Sequence, residues 1–149
     1  MKVIVDANIV FSAILNTNGK IGYLLLNSTS LIEYVAPEYM IYEVKKYFSK
    51  IEKITNKPFD EIERIYASTI KNVQLISESE IPFQHWITAE EIVSGIDPKD
   101  TPYVAFADFM GVKIWTGDKA LRAGLTKKGY DITITTDDLY EFQKRSFLK

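Results

Sequence analysis

Five short runs rich in β-branched and apolar residues, separated by stretches of helical periodicity, restrict this chain to a small set of folds. Val3–Val5 begin the first run and Leu31–Ala36 form the second, while Val73–Ile76, Val112–Trp115 and Ile132–Thr135 supply three more. The first run is apolar throughout, with no polar alternation, as expected of a strand covered on both faces. Strands that alternate with helices pair in parallel, because each helix carries the chain back across the sheet. The expected architecture is therefore α/β, a three-layer α/β/α sandwich around a central parallel sheet of about five strands. No repeat, low-complexity stretch or linker divides the 149 residues, so a single domain over 1–149 is expected.

The helical segments follow from spacing and punctuation. Phe11–Leu15 and Ile21–Leu26 read as two short pieces broken at Asn18-Gly19. Pro37 is placed to open a helix whose apolar residues are Met40, Ile41, Val44, Tyr47, Phe48 and Ile51. Pro58 opens another, with Phe59, Ile62, Ile65, Tyr66 and Ile70 inward. A shorter helix is expected over about Ala89–Val93, with His85 and Trp86 in the connection before it. Pro102 lies in the first turn of a mostly apolar helix reaching Met110, and Thr136 reads as the N-cap of the last helix, with Asp137 and Asp138 near its positive end.

Composition narrows the chemistry. The chain has no cysteine and one histidine, so disulfides, thiolate zinc sites and a cysteine nucleophile are excluded. A metal would be held mainly by oxygen, which favours Mg²⁺ or Mn²⁺. No apolar run approaches the roughly 20 residues of a membrane helix, and the first run is too short for a secretion signal. The expectation is a cytoplasmic protein with no membrane partner. The net charge of −2 supplies no global attraction for nucleic acid, so any such binding needs a local basic patch.

The acids then stand out by position. Asp6 follows the first strand and Asp118 follows the fourth, and in an open parallel sheet ligands sit beyond the carboxyl ends of the strands. If those strands are neighbours, both carboxylates enter one crevice; the competing reading makes each an N-cap of the next helix. Asp97 and Asp100 punctuate a proline-bounded turn entering the apolar helix, which would hold Asp100 rigidly. Glu43 lies at the margin of an apolar stripe, and spacing alone favours an ordinary solvated glutamate paired with Lys45 or Lys46. Lys20, Lys45, Lys46, Lys99, Lys119 and Arg122 flank these acids, and Lys119 and Arg122, following Asp118, are the preferred phosphate contacts. Trp86 can stack on a base but suits a packing role better. The aromatics Tyr34, Tyr39, Tyr42, Tyr47 and Phe48 form either core or a dimer or partner surface.

With these residues in hand the chain resembles PIN-domain nucleases, including VapC-type toxins of toxin–antitoxin pairs. The resemblance rests on Val3-Ile4-Val5-Asp6-Ala7-Asn8, on Tyr42-Glu43-Val44, on Asp97-Pro98-Lys99-Asp100-Thr101-Pro102 and on Thr116-Gly117-Asp118-Lys119-Ala120-Leu121, in that order across nearly the whole chain. It implies an acidic quartet of Asp6, Glu43, Asp100 and Asp118 that is both catalytic and metal-ligating, with Asn8 and Thr116 supporting it and Asp97 as an outer acid. It also implies neighbouring first and fourth strands, an endoribonuclease that uses Mg²⁺ or Mn²⁺, an RNA substrate, and an antitoxin or homodimer partner. The alternative within the same fold is a non-catalytic PIN-like module that binds RNA or a partner. A haloacid-dehalogenase-type phosphotransferase would need a second acid where this chain has Asn8, and a receiver domain would need an Asp where it has Ser77-Glu78.

Overall fold

A computed structural model describes residues 1–27 and 31–147. Strand β1 (Lys2–Val5) exposes only its first residue, with Val3, Ile4 and Val5 buried as its apolar run demands. Strands β2 (Glu33–Pro37) and β3 (Val73–Ile76) lie to one side of β1, and β4 (Lys113–Trp115) and β5 (Thr133–Ile134) to the other. The order is β3-β2-β1-β4-β5 and every pairing is parallel. The chain moves outward from β1 to β3, then returns to the far side of β1 through β4. That reversal creates a topological switch point between β1 and β4, where an open α/β sheet forms its ligand crevice. The register pairs Val5 with Trp115, so Asp6 emerges level with Thr116, and the Asp6 amide donates to the Trp115 carbonyl at 3.1 Å.

Helices cover both faces and complete the three-layer sandwich expected from the alternating pattern. Helix α1 (Ala7–Leu15) starts directly after Asp6, four residues earlier than the apolar spacing suggests, and buries Ile9, Val10, Ala13 and Ile14. Helix α2 (Lys20–Leu26) follows the Asn18-Gly19 break. At Gly22 an added Cβ would stand 2.2 Å from the backbone carbonyl oxygen of Thr17, a contact that no side-chain rotation relieves. Gly22→Ala is therefore expected to lower unfolding free energy by about 2–3 kcal/mol, measurable as a shifted urea midpoint.

The helix expected from Pro37 to Ile51 is two helices. Pro37 ends β2, and α3 (Tyr39–Lys46) begins after it, with the Tyr39 amide capped from afar by Glu78 Oε1 at 2.7 Å. Tyr47 breaks the helix, its amide bonding back three residues to Val44 at 3.0 Å, and α4 (Phe48–Thr55) starts after it. The apolar spacing runs unbroken through Tyr47, which is why periodicity alone joins the two. The turn lets Phe48 pack edge-on against Phe59 and Tyr66 of α5 (Phe59–Ile70), at 5.8 and 5.4 Å between centroids.

Helix α6 (Phe83–Val93) begins six residues before the expected Ala89 and absorbs His85 and Trp86. Its first turns were obscured because Phe83 and Ile87 are exposed apolar residues, which blur the amphipathic pattern. It packs on α7 (Thr101–Met110), whose buried residues Tyr103–Ala107 lie against the sheet. Helix α8 (Lys119–Lys127) follows β4. Beyond its end, the Lys128 ammonium donates to the Ile92 carbonyl at 2.8 Å and to those of Glu91 and Ser94, closing α6. The last helix is α9 (Thr136–Phe147), and its cap is Thr135, not Thr136. The Thr135 hydroxyl accepts from the Asp138 amide at 3.1 Å, whereas Thr136 accepts from the buried indole N–H of Trp115 at 3.0 Å. Among the described residues no single helix is long and apolar enough to cross a membrane.

Candidate active site

Above the carboxyl ends of β1 and β4 lies a cleft of about 310 Å³, walled by Asp6, Asn8, Glu43, Asp97, Asp100 and Asp118 together with Lys50 and Lys99. All four acids of the expected quartet and the outer acid thus line one cavity, although Glu43 and Asp6 come from different layers of the fold. Each is placed by a distinct local device.

Asp6 is the buried N-cap residue of α1 and makes no side-chain cap bond. Its Oδ2 instead accepts from the Thr116 hydroxyl at 2.7 Å. That hydroxyl also accepts from Asn8 Nδ2 at 3.3 Å and from the Asp118 amide at 3.0 Å, and Asn8 Oδ1 accepts from the Gly117 amide at 3.3 Å. Asn8 and Thr116 therefore lock the ends of β1 and β4 together and fix Asp6 and Asp118 relative to one another. Asp118 does cap its helix, with Oδ1 taking the Leu121 amide at 3.1 Å, and still faces the cleft.

Asp97 initiates the 3₁₀ turn Pro98–Asp100 by accepting from the Lys99 amide at 3.0 Å. Asp100, at the start of α7, is 8% exposed, makes no cap bond, and leaves its Oδ2 buried without a hydrogen-bond partner. An orphaned carboxylate oxygen costs free energy unless something else satisfies it. Burial first, then the charges of Asp6, Asp97, Asp118 and Glu43, push its carboxyl up to about 7. Burial likewise raises Asp6 against the opposing Thr116 hydrogen bond, with Asp118 adding to the rise. Glu43 is raised by burial, opposed by a hydrogen bond from Tyr103 and reinforced by Asp6. Burial also raises the nearby Tyr39 phenol, with Glu43, Tyr42, Asp97 and Asp100 adding to it.

Glu43 is not the solvated residue that helix spacing suggests. Tyr103 Oη donates to Glu43 Oε1 at 2.5 Å and accepts from the Ala7 amide at 3.3 Å. Tyr103 was not among the expected site residues; its only signal is a phenol in an otherwise apolar helix, one turn after Asp100. Tyr103→Phe is expected to cost about 1–2 kcal/mol of stability by stranding the Ala7 amide, and to slow any chemistry at the site roughly tenfold by releasing Glu43. Thermal melts and initial rates read the two effects separately.

The cations fall differently from expectation. Lys50, one turn after Tyr47 in α4, and Lys99 line the cleft. Lys119 and Arg122 instead line a separate groove along α8 and β5, with Lys127, Thr133 and Thr135. Asp118 faces the cleft while its Oδ1 caps α8, whereas Lys119 and Arg122 within that helix border the neighbouring groove. Lys46 stands over the Tyr42 ring at 4.7 Å and Lys20 pairs with Asp137 at 2.9 Å. Of the aromatic group, Tyr34 and Phe48 are core, whereas Tyr42 and Tyr47 are exposed.

The donor set suits a hard divalent cation in kind, being carboxylate oxygens with one of them unsatisfied. Among the described residues, however, no three Asp, Glu or His side chains are arranged tightly enough to hold an ion as they stand. Side-chain rotation within the cleft would be required.

A PIN domain family model matches residues 4–139. Two solved structures share the fold. PAE2754 from Pyrobaculum aerophilum has 15% identity and a TM-score of 0.62, over 94% of this chain and 87% of that one. VapBC2 from Rickettsia felis, bound to a DNA fragment from its promoter, has 14% identity and a TM-score of 0.63, over 91% of this chain and 98% of that one. No curated protein matches the sequence.

Proposed function

Because the chain belongs to the PIN-domain family, a family of nucleases, we propose that it is a divalent-metal-dependent endoribonuclease, the toxin of a type II toxin–antitoxin pair. The observation that carries this reading is Asp100. A carboxyl with one oxygen buried and partnerless, among four other acids, is unfavourable unless a cation completes it.

Asp6, Glu43, Asp100 and Asp118 would hold Mg²⁺ or Mn²⁺. Such an ion supplies hydroxide from bound water near neutral pH and offsets charge on the phosphodiester as the bond breaks. The protein's own contribution is positional. Thr116 and Asn8 hold Asp6 and Asp118 in fixed relation, Tyr103 orients Glu43, and Asp97 builds the turn that carries Asp100. Lys50 and Lys99 face the cleft where a scissile phosphate would enter, and Lys119 and Arg122 would receive phosphates farther along the strand.

A likeness to VapBC2 supports an antitoxin partner for this chain, and the exposed Tyr42 and Tyr47 offer a surface for it or for a second copy in a homodimer. A cytoplasmic site of action accords with a cellular RNA target. The second reading, a non-catalytic PIN-like module that binds RNA or a partner, draws on the absence, among the described residues, of a ready-made metal cluster.

An RNA cleavage assay with Mn²⁺, with and without EDTA, separates the two. Cleavage that requires the ion supports the nuclease. RNA binding with no cleavage under any divalent ion supports the binding module, and cleavage that persists in EDTA contradicts the proposed chemistry.

A further inference from the structure

Beside the acidic cleft, and sharing Lys99 with it, lies a second groove of about 890 Å³. It runs between α6 and the Pro98–Asp100 turn, and it has a different character. Trp86, Glu90 and Val93 recur at helical spacing and present one face of α6 to it, opposite Tyr39, Pro98 and Pro102. Two aromatic rings and two proline rings thus flank the space. Lys99 is the single cation in its lining and Glu90 the single acid, which argues against a phosphate pocket and for a flat, neutral group. Tyr39 lines this groove but not the cleft, and Lys99 is the residue that borders both.

We infer that this groove receives an unpaired nucleobase adjacent to the phosphodiester held in the cleft. The inference rests on the nuclease reading for the position of the bond, but its chemistry is independent of catalysis. Every base offers a face for stacking on aromatic side chains, and the N–H donors on its edge can meet the Glu90 carboxylate or the Ser94 and Thr101 hydroxyls at the rim. A backbone that passes Lys99 on leaving the cleft delivers its next base to this groove. A duplex keeps its bases stacked and paired, so it cannot place one here without opening.

The chain contains two tryptophans, and Trp115 is wholly buried while Trp86 lines the groove. A change in tryptophan emission on ligand contact therefore reports on Trp86, over a constant background from the shielded Trp115. With Ca²⁺ present to screen the acids, titration of the full chain with a single-stranded RNA oligonucleotide is expected to quench emission saturably by roughly a third. The same RNA annealed to its complement, or carrying abasic positions, is expected to quench little and to bind roughly tenfold more weakly. Trp86→Phe, which preserves an aromatic face and the packing, is expected to bind RNA while losing the quench.

RNA that binds by fluorescence anisotropy yet leaves Trp86 emission unchanged overturns the groove and leaves the nuclease reading intact. Equal quenching by abasic RNA does the same. Quenching by an aromatic peptide but not by RNA assigns the groove to a protein partner and also overturns it. Base-dependent quenching without cleavage under any divalent ion keeps the groove and sinks the nuclease.

Discussion

Asp6→Asn is expected to abolish the proposed metal-dependent RNA cleavage, lowering the rate by roughly three orders of magnitude, while the domain stays folded. The buried Asp6 carboxylate does not hold its helix together, since it makes no cap bond. The Thr116 hydroxyl donates to it at 2.7 Å and the Asn8 and Ala7 backbone amides also favour its charge, and an amide oxygen can accept from the same donors. The substitution therefore removes a charge and little else. Relief from burying that charge even offsets part of any packing loss, so thermal stability should hold or rise slightly. Single-turnover cleavage with Mn²⁺, beside a circular dichroism melt, measures both. A variant that melts normally and retains cleavage within a few-fold of the parent would show that Asp6 is not part of the machinery.

The second large effect concerns stability and pH. Asp100 has an ordinary carboxylate value of 3.8 in the unfolded chain and is pushed up to about 7 in the fold. Between those values the native state holds a proton that the unfolded chain has released. Stability is thus fully present below the lower value and is lost as pH rises through the upper one. Ion-free protein is expected to lose about 3–4 kcal/mol between pH 4 and pH 7.5 from this group. Asp100→Asn should flatten that slope and, at pH 8 without ions, leave the protein about 1–2 kcal/mol more stable than the parent, after the unpaired amide's cost. Adding Mn²⁺ should reverse the ranking by stabilising the parent alone. Denaturant melts across pH, with and without the ion, would detect this. A parent whose stability rises from pH 5 to pH 8 in EDTA contradicts a strained acid cluster.

Much of the site could be read from residue order because its acids sit at strand ends. Val3-Ile4-Val5-Asp6 and Ile114-Trp115-Thr116-Gly117-Asp118 each mark a buried strand stopping at a carboxylate. The β1–β4 pairing then made them neighbours. What the sequence left hidden has a common cause: it depends on direction, which spacing does not encode. Glu43 looks solvated on a helical wheel and is instead held by the Tyr103 phenol from another layer. Lys50 enters the cleft because the chain turns at Tyr47, and unbroken apolar periodicity conceals that turn. Lys119 and Arg122 are close to Asp118 in sequence, yet α8 carries them into a different groove. The early start of α6 escaped detection because Phe83 and Ile87 face outward. Trp86, expected in a loop, consequently sits on a helix face beside the cleft.

In the proposed nuclease, carboxylates from four separate segments share a divalent cation. Direct titration of the ion-free protein with Mn²⁺, followed by electron paramagnetic resonance of the free ion, tests it without substrate or turnover. Saturable binding by the parent, weakened at least about tenfold in Asp118→Asn and in Asp100→Asn, is the expected result. Equal affinity in parent and variants, or no saturable binding by the parent at millimolar Mn²⁺, would contradict it.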